Sequence, residues 1–392
     1  MFFKNKKISS KLTTFIKANY YDSYRVLIEF KKFHKEFDKI IHSLGGKVIF
    51  NFSHTNLICA NLPPRAINRL VEYPEVSYIS IDDYCFLCGI SLSTINGIRS
   101  TTPFNLTGKG VKIALIDSGT FPHPDLSSPN RILAFKDLIN DSNFPYDDNG
   151  HGTAISTLLC GSGISSKFKY KGIAEKSSLL SYKAFNESGK ANFSDVLIAL
   201  ESIIEDTQKH TIKLLCMPFE SFNSTLRHIK YFDNLLNIIV SKGIIPIMPV
   251  GSTDNSSPIN GLANSDNVIT VAGVNNDFSL FRYSSKANLH KKIDICAKCS
   301  NVSCGTTVTS YVSQRGISKI YPPKLKEFYK SYSGTSVATA YICGICALLL
   351  EKYPNYNFHD VSSRIELCSV QVDDLSYRNI GNGTLDLDLF LQ

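Results

Sequence analysis

Residues 331–350 read SYSGTSVATAYICGICALLL, a serine-glycine-threonine-serine turn followed by a long apolar run. Gly334 supplies the turn, and the small and apolar residues after it predict a buried helix. Ser336 then falls in the first turn of that helix. Free backbone N–H groups and the positive end of the helix dipole gather there and favour negative charge on an attacked substrate. Acyl transfer needs a nucleophilic hydroxyl at such a place. The same string also serves as a small-residue entry to a core helix, so the choice rests on other stretches.

Two stretches upstream supply the partners. Asp117 follows the apolar run 111–116 in VKIALIDSGTFPHPDL, which predicts a short parallel strand with an acid at its C-terminal end. His151 lies in DDNGHGTAISTLL, where Asn149, Gly150 and Gly152 make a tight turn before a predicted helix at 153–159. Taken singly, the acid is also a turn or cap residue and the histidine a surface residue at a helix start. Together the three supply the parts of one mechanism. The histidine takes the serine proton, and the aspartate orients the imidazole and stabilises its charged form. The chain order Asp, His, Ser is one of the known orders of this triad.

The elements between the motifs alternate. Helices are predicted at 193–205 and 226–241, and strands at 178–184, 212–217, 244–250 and 268–274. Such alternation is the mark of an α/β domain with a mainly parallel sheet, with functional residues beyond the strand C-terminal ends.

ALIDSGTFPHPDL, NGHGTAIST and SGTSVATAYICG resemble, in order, the aspartate, histidine and serine motifs of the subtilisin-like serine proteases. KGIAEKSSLLSYKAF and DNVITVAGVNN resemble core strands of that family, and the likeness runs from about residue 89 to 369. It implies a subtilisin-like three-layer α/β fold. It also implies a serine endopeptidase in which Asp117 orients, His151 is the general acid/base and Ser336 is the nucleophile, acting through an acyl-enzyme. The Ser336 backbone N–H becomes one oxyanion donor.

The chain departs from the family pattern at two places. The family's oxyanion asparagine follows a glycine, whereas this chain has Gly251-Ser252. A serine hydroxyl donates but is shorter and rotates freely; losing such a donor costs about 2.7–4 kcal/mol. Asn255, three residues on, is the other candidate. The substrate-binding strand appears as Met217-Pro218-Phe219-Glu220. Pro218 lacks an N–H that an extended substrate would pair with. Phe219 and Glu220 narrow the pocket and put an acid at its rim, which favours a small or basic residue before the cut bond. A register shifted by one residue is the alternative reading of this strand.

Residues 24–30, 47–51, 56–61 and 76–81 have strand patterns, and helical patterns at 31–44 and 65–72 lie between them. This β-α-β-β-α-β order predicts a small ferredoxin-like α+β unit over residues 21–89. It resembles the family's inhibitory propeptide, whose tail occupies the groove, with a self-cleavage point near Cys88-Gly89-Ile90. The predicted organisation is a loose lead-in over 1–20, this unit over 21–89, and the catalytic domain over 90–392, its first residues to 107 forming a linker.

Composition narrows the classes further. Hydrophobic residues make up 43% and charged residues 19%, an ordinary globular balance with a net charge of +8. The basic residues form no long run, so nucleic acid has no motif behind it. No apolar segment follows the basic start, and no run approaches the length of a membrane span. The 11 cysteines are an odd count without the spacing of a small secreted scaffold. A reducing cytoplasm is therefore the expected setting.

No cofactor is expected, with calcium the one alternative left open. Asp125 matches a calcium ligand of many relatives, but the loop 161–171 carries Lys167, Lys169 and Lys171, which oppose a cation. Cys85/Cys88 and Cys296/Cys299, with Cys304 nearby, have zinc-like spacing; Cys343 and Cys346 take core positions. The expected partners are a peptide or protein substrate and the chain's own leading unit. The expected role is a selective processing endopeptidase held by that unit. The alternative is a weak or inactive relative that keeps the fold and binds peptides in the groove.

Overall fold

The computed structural model describes residues 7–31, 37–92, 105–221, 224–315 and 318–392. They form two compact units: Met1–Tyr84 with Asn192–Glu201, and Cys85–Ala191 with Ser202–Gln392. The division falls before residue 89, and it assigns to the first unit a helical segment from the middle of the chain.

The first unit begins with α1 (Ser10–Lys17), within the lead-in expected to be loose. Ser9 caps it by accepting the Leu12 N–H at 3.3 Å, and Leu12 is fully buried. Then come β1 (Tyr24–Phe30), α2 (Phe37–Ser43), β2 (Lys47–Asn51), β3 (Leu57–Leu62), α3 (Pro64–Leu70) and β4 (Val76–Ile81). The sheet order is β2-β3-β1-β4 with antiparallel pairs throughout. Val26 and Ile28 alternate on β1 and meet Ile41 of α2 and Ile67 and Leu70 of α3 in one core. Arg25 closes the edge of this unit. Its guanidinium lies 2.8 Å from Asp82 and 2.5 Å from Asp195.

The second unit contains β5 (Tyr84–Leu87, from Cys85 on), β6 (Ile90–Leu92), β7 (Lys112–Asp117), α4 (Pro124–Ser127), β8 (Ile132–Asp137), α5 (His151–Cys160), β9 (Ser178–Lys183) and β10 (Lys190–Asn192, to Ala191). α6 (Phe193–Asp206) is shared between the units. β11 (Leu214–Cys216), β12 (Phe219–Glu220), α7 (Leu226–Ser241), β13 (Ile245–Pro249), β14 (Ile269–Val274), β15 (Ile295–Lys298) and β16 (Val302–Gly305) follow. A small hairpin, β17 (Gln314–Arg315) with β18 (Ser318–Lys319), precedes β19 (Tyr329–Ser333) and α8 (Thr335–Lys352).

Seven strands form a parallel sheet in the order β15-β14-β13-β11-β7-β9-β8. β13 and β14 are buried at every residue, as strands covered on both faces must be. The edge strand β8 went unpredicted, because its apolar run is only four residues and exposes Leu133 instead of alternating with polar residues. From β9 the chain crosses to β11 on the other side of β7, so the C-terminal end of β7 lies at a topological switch point.

α5 and α8 share the largest apolar core with this sheet, where Leu158, Val337 and Cys343 meet Ile113, Ile247 and Val271. α8 corrects the expectation that no run approaches a membrane span: its 18 residues are apolar enough to cross one. The reason is its position, since 83% of that window is buried inside the fold. Ile90–Leu92, read as linker, is a strand; residues 93–104 of the same stretch lie outside the described residues.

Candidate active site

Asp117 is the last residue of β7 and fully buried at the sheet's C-terminal edge. Its two carboxylate oxygens each lie 2.9 Å from His151 Nδ1, and Oδ1 also accepts the Ser118 N–H. His151 opens α5. Its Nε2 lies 3.0 Å from Ser336 Oγ, and Ser336 is the second residue of α8. The structure thus brings Asp117, His151 and Ser336, distant along the chain, into one hydrogen-bonded row.

Burial alone would lower the histidine's pKa, but the Asp117 charge and hydrogen bond outweigh it and hold the imidazole above its ordinary value. The remaining Nε2 partner is Cys88 O at 3.4 Å. Ser336 sits in the first turn of α8, so its own N–H has no intrahelical acceptor.

Sequence reasoning missed the residue that holds the histidine loop. Asp147 is fully buried and caps the start of α5. Its Oδ1 accepts from Ser118 Oγ (2.9 Å), Asn149 N–H (3.1 Å) and Gly150 N–H (2.8 Å). Its Oδ2 accepts both the N–H and the hydroxyl of Thr153. The signal was the acid before Asn-Gly, a pattern that favours Asx turns. Gly152 is required by close approach, since a Cβ there would lie 2.0 Å from Gly119 O.

Segment 85–92 runs past the triad. Phe86 and Leu87 pair antiparallel with Glu220 and Phe219 of β12. The Cys88 N–H donates to Pro218 O at 3.3 Å. Beyond Gly89, β6 pairs antiparallel with β19, Ile90 opposite Ser333. Between the two ladders a Cβ built on Gly89 would lie 3.0 Å from Ser336 Oγ and 3.5 Å from His151 Nε2. The Cys88–Gly89 peptide therefore lies against the serine hydroxyl. Pro218 lacks an N–H, but this segment uses its carbonyl.

The remaining candidates fall beside this strand. Met217 is buried and donates its N–H to Ile247 O. Phe219 packs its buried ring on Phe185, 5.1 Å between centroids. Glu220 reaches Ser252: the serine N–H donates to Oε2 at 2.7 Å and its hydroxyl donates to Oε1. Burial raises the Glu220 pKa, although the Ser252 donors and the Cys88 thiol pull the other way. Gly251 lets this happen, because a Cβ there would meet Glu220 Oε2 at 2.9 Å. The Ser252 hydroxyl is thus directed at Glu220. Asn255 is tied by its N–H to Arg282 O, and its carbonyl accepts from Asn379.

The calcium expectation meets a built alternative. Asp125 is fully buried, accepts the Ser165 N–H at 2.9 Å and accepts the Tyr329 hydroxyl. A protein donor reaches each carboxylate oxygen, and Lys171 of the adjoining loop pairs with Glu175. Both donors compete with a cation for the carboxylate. The cysteines at 85, 88, 296, 299 and 304 are all buried free thiols, and burial pushes Cys296 up to about 12.

Comparison with known proteins agrees with this arrangement. The model of the subtilase family matches residues 108–383. The chain is 31% identical to the serine protease AprX of Bacillus subtilis over 67% of this chain and 61% of that protein. It is 25% identical to subtilisin amylosacchariticus of Bacillus subtilis subsp. amylosacchariticus, over 90% of this chain and 85% of that one. The crystal structure of fervidolysin from Fervidobacterium pennivorans, described as a keratinolytic enzyme related to subtilisin, superposes with a TM-score of 0.74. It covers 95% of this chain and 61% of fervidolysin at 17% identity, a likeness of fold. The chain thus spans about three fifths of the length of AprX and of fervidolysin.

Proposed function

The chain belongs to the subtilase family, and from that premise we propose that it is a serine endopeptidase that cuts peptide bonds through an acyl-enzyme. The observation that carries the reading is the row Asp117–His151–Ser336, with 2.9 Å and 3.0 Å between successive groups. In this reading Ser336 Oγ attacks the carbonyl while His151 Nε2 takes its proton. Asp117 keeps the imidazole oriented and balances its charge. His151 then returns the proton to the leaving amine, and water repeats the cycle to free the acyl group. The Ser336 N–H at the helix start supports the oxyanion.

The leading unit acts as a propeptide whose tail, residues 85–92, fills the groove in the manner of a substrate. Support comes from the ladders on both sides of Ser336 and from the Cys88 carbonyl, which faces His151 Nε2. A tail held so, together with the narrowed strand at 217–220, supports a selective processing role rather than broad digestion.

A second reading, a groove that binds peptides with little or no cleavage, is favoured by one observation: the Ser252 hydroxyl is engaged by Glu220. Turnover of a peptide library by the wild-type chain and by Ser336→Ala separates the two. Cleavage lost in the variant supports the endopeptidase. Equal residual cleavage in both supports the binding protein.

A further inference from the structure

Glu220 does more than narrow the groove. It extends from β12, which pairs with Phe86 and Leu87, to Gly251-Ser252. There it holds both the N–H and the hydroxyl of Ser252. Glu220 is 8% exposed, and its Oε2 would lie 2.9 Å from a Cβ at 251, closer than a side chain there tolerates. Cys88 is fully buried, and its thiol is within hydrogen-bonding reach of Glu220, Ser252 and Thr335. The side chain before the bond at Ser336 thus ends on the bar instead of running past it.

We infer that the Glu220–Ser252 pair is a bar that limits cleavage to bonds preceded by a small side chain, best one that donates a hydrogen bond, such as cysteine or serine. The inference rests on the endopeptidase reading and adds its specificity. The thiol donates to the Glu220 carboxylate; serine keeps that donor on an atom of similar reach, and alanine fits without it. Phenylalanine must push the carboxylate off Ser252, leaving a buried acid without its donors. Arginine has a charge that suits Glu220 but a stem too long for the space before the bar. Aspartate would set two acids together.

The chain carries its own test at Cys88–Gly89. The full-length protein and its Cys88→Ser, Cys88→Ala, Cys88→Phe and Cys88→Arg variants are incubated, and intact mass follows cleavage after residue 88. A fluorophosphonate probe follows Ser336. The expected result is cleavage of the Ser and Ala variants within about threefold of wild type, and of the Phe and Arg variants at least about tenfold slower. Glu220→Gly in the Cys88→Phe chain should recover most of the loss. Nine-residue peptides copied from 84–92 with the same replacements, offered to the self-processed wild-type chain, should give the same ranking without any risk to folding.

Phe or Arg variants and peptides cut as fast as wild type overturn the inference, as does failure of Glu220→Gly to recover the Phe variant. Labelling of Ser336 with no cut after residue 88 in any chain also overturns it, while leaving the endopeptidase reading in place. No cut in any chain or peptide, together with no labelling of Ser336 in chain freed of its leading unit, overturns that reading, and the inference with it.

Discussion

Cys88 O and Ser336 Oγ share one histidine nitrogen: His151 Nε2 lies 3.4 Å from the carbonyl and 3.0 Å from the hydroxyl. The peptide beside the nucleophile therefore directs its oxygen at the base. An attacked carbonyl must direct its oxygen at oxyanion donors, so cleavage after Cys88 requires this carbonyl to turn away from the base first. Strand pairing on both sides keeps the segment in place. The consequences below follow from this contact and from the groups that hold the triad.

Asp117 should matter through orientation. Asp117→Asn preserves shape but presents an amide N–H or a weaker acceptor to His151 Nδ1, which favours the wrong tautomer. Peptide turnover should fall about 10⁴-fold while Ser336 stays in place. A loss of less than tenfold would show that the carboxylate does not orient the base.

The pH profile has a defined sign. His151 must be neutral to take the serine proton, and its pKa is raised, with burial opposing and Asp117 prevailing. Fluorophosphonate labelling of Ser336 should therefore decline with falling pH through a midpoint above the ordinary histidine value of about 6.5. A midpoint below that value would contradict the Asp117–His151 pairing. Asp117→Asn should move the midpoint down, because the opposing charge is gone.

How far could the sequence be read? The three motifs placed Asp117 at a strand end, His151 at a helix start and Ser336 at another, and the structure has each there. Strand and helix periodicities placed the elements of the small antiparallel sheet to within a few residues. What escaped depends on contacts between distant parts. Ser252 was legible as a replacement, but its engagement by Glu220 32 residues earlier was not. Asp147 drew no reading of its own: four of its five bonds stay within six residues, and the fifth, from Ser118, forms only when the end of β7 meets the histidine loop. The edge strand β8 does not alternate apolar with polar residues, and α1 buries only one residue, Leu12.

Asp147 gives a test of that missed role. Asp147→Ala removes acceptors from Ser118, Asn149, Gly150 and Thr153, all in a buried site. Urea unfolding should show a loss of about 3 kcal/mol, since each buried donor left unpaired costs about 1–3 kcal/mol with partial relaxation. Activity per folded molecule should also fall, as the histidine loop loses its anchor. Unchanged stability would mean that water or a neighbour replaces the carboxylate without cost.

Asp125 predicts the response to chelation. Its oxygens are held by Ser165 and Tyr329 rather than left open. Adding a strong calcium chelator should leave the Tm unchanged, because only a ligand bound to the folded state raises it. A fall of several degrees, restored by calcium, would show that a cation is bound. Tyr329→Phe should lower the Tm in either buffer, since it strips a donor from a buried carboxylate.

The most direct measurement of the proposed chemistry is the site of covalent labelling. The chain freed of its leading unit is exposed to a fluorophosphonate probe, digested and mapped by mass spectrometry, beside Ser336→Ala and His151→Ala. A single adduct on Ser336, absent from the first variant and strongly slowed in the second, is the predicted result. An unlabelled Ser336 in the folded chain freed of its leading unit, or an adduct that forms equally fast without His151, would contradict it.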